Sequence, residues 1–92
     1  MGRINNKDLD RVLTRINEST GQPTEAWTEK DGKWRANVGS YVLDYCYGGV
    51  RLSQLTSEGG GERDITVRGT KKECYYQMLA FLAGVEAGKE GR

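Results

Sequence analysis

Apolar positions recur along this chain with two periods, and the two periods divide it into elements. Leu9, Val12, Leu13 and Ile16 fall at i, i+3, i+4 and i+7, which aligns them on one stripe and predicts a helix from Asn6 to Ser19. Asn5 or Asn6 can accept from the first free N–H groups, and Asp8 and Asp10 suit the positive end of the helix dipole. Gly21 and Pro23 stop it. A second 3.6-residue stripe, Tyr75, Met78, Leu79, Leu82 and Val85, predicts a closing helix. Thr70-Lys71-Lys72-Glu73 opens it as a capping box, in which the Thr70 hydroxyl and the Glu73 carboxylate each accept from the other's backbone N–H.

Between the helices the period is two. Residues 25–30 lead into Asp31-Gly32, the dipeptide of tight type I′ turns. Residues 33–38 then place Trp34, Ala36 and Val38 on one face and Lys33, Arg35 and Asn37 on the other. After Gly39-Ser40, residues 40–46 set Tyr41, Leu43 and Tyr45 against Val42, Asp44 and Cys46. Gly48-Gly49 turns the chain into a fourth strand at 50–56. Close turns between consecutive strands imply antiparallel pairing, because parallel strands need long crossovers. The expected fold is therefore α+β in two layers, ordered α-β-β-β-β-α, with a four-stranded antiparallel meander and both helices on one side. Residues 57–64, with Gly59-Gly60-Gly61, read as a Gly-rich loop, and Ile65 and Val67 admit a short fifth strand. Residues 1–4 and 86–92 are expected to fray.

A chain of 92 residues is one domain's worth and can bury only a modest core. No apolar run is long enough to span a membrane. The opening residues lack the apolar stretch of a signal peptide, and Asn6 stands where a myristoylation motif needs Ser or Thr. A cytoplasmic location is the expectation. The formal net charge is +1 with both signs interspersed, short of the strong basic footprint of a nucleic-acid binder. Cys46 and Cys74 have no metal-ligand spacing and read as buried small apolar residues.

Histidine is absent, which removes the usual general base at neutral pH and the commonest transition-metal ligand. Neither cysteine has a nucleophile–base partner, and no carboxylate pair has acid/base spacing. Asp44, inside an apolar strand, reads as paired across the sheet with Arg35 or Arg51 on the face away from the helices. The expectation is a non-enzyme without metal or cofactor.

Binding chemistry is better represented. Two tryptophans and five tyrosines exceed what so small a core can absorb, so some must reach the surface. Tyr47, beside the Gly48-Gly49 turn, and Tyr76, off the helix stripe, are the candidates. With Arg35, Asp44, Arg51 and Arg63 they form the expected partner-binding set, spread over the outer sheet face and the Gly-rich loop. The alternative is a nucleic-acid module using Arg63, Arg68, Lys71 and Lys72 at the start of the last helix. That order of elements and its two helix-opening lysines resemble a double-stranded-RNA-binding domain. The Gly-Pro-x-His loop of that family is missing, the Ala-rich last helix is replaced by Cys74-Tyr75-Tyr76-Gln77, and an extra hairpin is present.

The stretch from Tyr41 to Leu52 (Tyr-Val-Leu-Asp-Tyr-Cys-Tyr-Gly-Gly-Val-Arg-Leu) resembles a family of small phage and prophage proteins. So do Glu58-Gly59-Gly60-Gly61 and the closing Met78-Leu79-Ala80-Phe81-Leu82-Ala83-Gly84, and the likeness runs from Leu13 to Gly84. That family carries no assigned activity. The resemblance implies a phage accessory product in the bacterial cytoplasm. A monomer or weak dimer is expected, since an exposed fourth strand could pair two copies. Its expected partner is a host protein or ribonucleoprotein complex, such as a restriction or CRISPR defence assembly, blocked by steric occupation.

Overall fold

The computed structural model describes residues 3–46 and 48–90. It is α+β, with helix α1 (Asn6–Thr20), strands β1 (Trp27–Lys30), β2 (Lys33–Ala36), β3 (Tyr41–Cys46), β4 (Gly49–Leu55) and β5 (Glu62–Asp64), and helix α2 (Lys71–Glu90). Both predicted helix starts are present. Asn5 caps α1 in a capping box with Asp8, and Gly21 ends it in the left-handed conformation. At α2 the Thr70 hydroxyl accepts from the Glu73 N–H at 3.1 Å, and the Glu73 carboxylate accepts from the Thr70 N–H at 2.9 Å. The second helix continues past Gly84 and Gly88, and its Glu86 pairs with Arg15 of α1 at 3.1 Å.

Leu9, Val12 and Ile16 of α1 and Cys74, Met78 and Leu82 of α2 meet Tyr41, Val50 and Leu52 of the sheet in one core. Ile4 and Ile65 pack against its margin. Tyr41 and Phe81 add a tilted ring pair at 5.4 Å. Asn17 is the polar member of this interface and is fully buried. Its side-chain oxygen accepts from the Tyr41 N–H at 2.7 Å, and its amide donates to the Tyr41 carbonyl at 3.0 Å. One side chain thus satisfies both outward-facing backbone groups of an edge-strand residue and ties α1 to β3.

The strands do not form one four-stranded meander. They make two antiparallel sheets, β1-β2 and β3-β4-β5. Asn37 explains the separation. Its N–H bonds the Ala26 carbonyl at 2.8 Å, and its side-chain amide donates to Glu25 O at 2.7 Å and Thr28 Oγ1 at 2.9 Å. This clamps the base of the first hairpin, so β2 stops at Ala36. Gly39, at φ 96°, then turns the chain away. Gly39 and Ser40 bond Leu55 instead of β2.

The extra strand also lies elsewhere than the alternation at 65–67 suggests. β5 occupies Glu62–Asp64, inside the segment expected to be a loop, and pairs Asp64, Arg63 and Glu62 with Ser53, Gln54 and Leu55. It has no apolar face to announce it: all three residues are exposed. Thr66 then ends the ladder by accepting the Leu52 N–H on its hydroxyl at 3.0 Å. Gly49 is required where the chain returns, since a Cβ there would lie 2.3 Å from the Gly69 carbonyl oxygen, and its φ is 134°.

Candidate interaction surfaces

The β1-β2 hairpin stands apart from the core. Asp31 and Gly32 both have positive φ, 55° and 76°, as the type I′ turn demands. The register pairs Trp27 with Ala36, Thr28 with Arg35, Glu29 with Trp34 and Lys30 with Lys33. Cross-strand partners share a face, so one face of the ribbon carries Trp27, Glu29, Trp34 and Ala36. The other carries Thr28, Lys30, Lys33 and Arg35. Trp34 is 64% exposed and Trp27 43%. Trp27 lies over Gly60, where a Cβ would come within 3.0 Å of the indole. With the Ala36 N–H bonded to the Glu58 carbonyl at 2.9 Å, this fastens the hairpin to the Gly-rich turn.

Composition does not single out these two tryptophans for exposure over the tyrosines. The signal was available in the turn: an Asp-Gly hairpin fixes register, and the register puts Trp27 and Trp34 diagonally on one face. Of the two tyrosines expected at the surface, Tyr76 is 55% exposed and meets Tyr75 edge-on at 5.6 Å. Tyr47 lies outside the described residues.

On the opposite hairpin face a cleft of about 420 Å³ is lined by Lys30, Asp31, Lys33, Arg35 and Glu58. Arg35 pairs here with Glu58 at 3.5 Å rather than with Asp44.

Asp44 faces away from the helices, opposite Arg51. Its Oδ2 accepts from Arg51 Nη2 at 2.8 Å and Arg68 Nη2 at 3.1 Å. Arg51 also pairs with Asp64. Arg68 Nη1 donates to the carbonyls of Asp44 and Gly49 at 3.2 and 3.1 Å. Two carboxylates and two guanidiniums thus neutralise one another over the Asp44 end of the outer face. Ser53 and Leu55, in the same outward register, are buried. The outer face is therefore not the bare surface that a two-layer meander leaves.

The basic cluster divides similarly. Arg68 is engaged with Asp44, and Arg63 donates to Gln54 Oε1 at 2.7 and 2.9 Å while staying exposed. Lys71 and Lys72 are solvent-exposed in the first turn of α2.

The cysteines do not share one environment. Cys74 is buried and its thiol pKa is raised, chiefly by that burial. Cys46, expected inside, is exposed at the end of β3, because the outward register there is uncovered. Tyr45, half exposed beside it, has its phenol pKa raised by partial burial and then by the negative charge of Asp10. Among the described residues no group of three or more His, Cys, Asp or Glu side chains is placed to hold a metal, and no helix is long and apolar enough to cross a membrane.

No protein-family model, curated protein or solved structure matches this chain.

Proposed function

We propose that this chain is a non-enzymatic, phage-encoded binding protein that occupies a site on a bacterial protein complex, and that the β1-β2 hairpin makes the central contact. One observation carries the reading: a hairpin with a tight turn displays Trp34, 64% exposed, beside Trp27 on one face. Leaving an indole in water forgoes favourable burial, and tryptophan is among the residues enriched at the energetic hot spots of protein interfaces. An isolated two-stranded ribbon is marginally stable in water. Here the Asn37 clamp and the Trp27–Gly60 contact hold it in place, which lowers the ordering cost of association. Arg35 borders this contact from the opposite face. The phage resemblance supplies the class of target, a host complex such as a CRISPR or other defence assembly, inhibited or redirected by steric occupation.

Affinity capture from bacterial lysates tests the proposal, with wild-type protein beside Trp34→Ser. A host complex retained by the wild type should bind the variant about 30-fold more weakly, the loss expected of a hot-spot residue worth about 2 kcal/mol. Blank captures across several hosts and defence systems would overturn it, as would a retained complex indifferent to Trp34.

The nucleic-acid reading keeps Lys71 and Lys72 as exposed phosphate ligands, but Arg68 is already spent on Asp44. Salt-sensitive binding of duplex RNA or DNA, abolished by Lys71→Glu with Lys72→Glu, would favour it.

A further inference from the structure

The basic face of the hairpin holds charge that the protein itself does not compensate. Lys30 and Lys33 lie directly opposite each other across the turn. Like charges in that position repel, and the ion pairs of the described residues include neither lysine. Arg35 follows two residues beyond Lys33 on the same face, about 6.6–6.8 Å along the strand. Its own partner, Glu58, sits at 3.5 Å with both side chains more than half exposed, so an incoming carboxylate can replace it. These groups line the 420 Å³ cleft.

We infer that this cleft binds an extended acidic peptide segment of the partner, with carboxylates at alternate positions. In an extended chain, side chains two residues apart share a face at the spacing that separates Lys33 from Arg35. One carboxylate bridges Lys30 and Lys33, and the next meets Arg35. A nucleic-acid strand fits less well. Asp31 and Glu58 stand in the same lining, and an unbroken row of phosphates would meet both carboxylates, whereas a peptide carries uncharged residues between its acids. The net charge of +1 agrees, lacking the strong basic footprint of a polyanion binder. The inference rests on the protein-binding reading above, and names the chemistry of the partner at a second face of the same hairpin.

The test is an amide chemical-shift titration of the full chain with a capped hexapeptide alternating aspartate and serine. Its asparagine counterpart and a short oligothymidylate serve as comparisons. Shifts should concentrate at residues 30–35 and 58, leave 71–72 unmoved, and shrink as salt is added. Lys33→Gln should weaken binding at least about tenfold, and Glu58→Gln should strengthen it by freeing Arg35. No saturable shift with the aspartate peptide would overturn the inference. So would equal binding of the asparagine peptide, or tighter binding of the oligonucleotide at the same amides. Trp34→Ser leaves the basic face intact and should bind the peptide as the wild type does. Peptide binding without Trp34-dependent capture would therefore sink only the docking proposal, and the reverse would sink only this one.

Discussion

Asn17→Ala removes the one side chain that satisfies both backbone groups of Tyr41. The two hydrogen bonds measure 2.7 and 3.0 Å, Asn17 is fully buried, and Tyr41 is 8% exposed. Truncation leaves a donor and an acceptor unpaired in the α1–β3 interface, each costing about 1–3 kcal/mol. A total of about 3 kcal/mol is expected, against about 5–14 kcal/mol of stability for a chain of this length. At about 4–8 °C per kcal/mol, the melting temperature should fall by about 12–24 °C. Thermal and urea unfolding followed by far-UV circular dichroism read both quantities. Asn17→Leu separates hydrogen bonding from volume, because leucine restores apolar bulk and leaves the same two groups orphaned. It should lose nearly as much as alanine, while Glu18→Ala, on the exposed side of the same turn, should stay within about 0.5 kcal/mol. A loss below about 1 kcal/mol for Asn17→Ala, or rescue by leucine, would refute the reasoning.

Asp44→Ala should destabilise by about 2 kcal/mol in urea unfolding, since it strips Arg68 of its carboxylate and Arg51 of one of two. Its partial exposure holds the cost below that of breaking a fully buried pair. Thr70→Ala should cost about 1 kcal/mol as a lost N-cap. Hydrogen bonds from the backbone and side chain of Thr70 hold the Glu73 carboxyl below the usual glutamate range. A depressed carboxylate contributes stability above its unfolded pKa and loses it as pH falls through the folded value. The cap should therefore weaken only on acidification below that range, and a carbon-detected titration of Glu73 should move back up in Thr70→Ala. A thiol reagent at neutral pH should label one cysteine, Cys46, in the folded protein, and Cys74 only after unfolding. Two equivalents in the native state would contradict the burial of Cys74.

Much of the fold was legible because it is encoded over a few residues. The α1 stripe and its asparagine cap, the Thr70–Glu73 capping box, the Asp31-Gly32 turn and the outward direction of Asp44 each follow from side chains within one turn or one strand of each other. The partner of Asp44 stayed open in sequence between Arg35 and Arg51, and the structure chose: the short Gly48-Gly49 connection brings Arg51 opposite it, whereas Arg35 belongs to a hairpin that never joins that sheet. For the candidate site, the sequence marked a surplus of aromatics and the structure chose among them. Trp27 and Trp34 stay outside because their ribbon has no second layer against it.

What tertiary structure alone decided depends on groups far apart in the chain. Asn17 looks like an ordinary polar helix residue until the unpaired edge of β3 arrives beside it. β5 is a charged tripeptide with no strand signature, made a strand by the open edge of β4. Arg68 reads as a phosphate ligand by its neighbours in sequence and becomes a structural ion by its neighbours in space. Local periodicity reports which face a residue takes. Which backbone edge or opposite charge waits at that face is determined only when distant segments close on one another, and that closure turned one expected meander into a packed sheet and a separate, exposed hairpin.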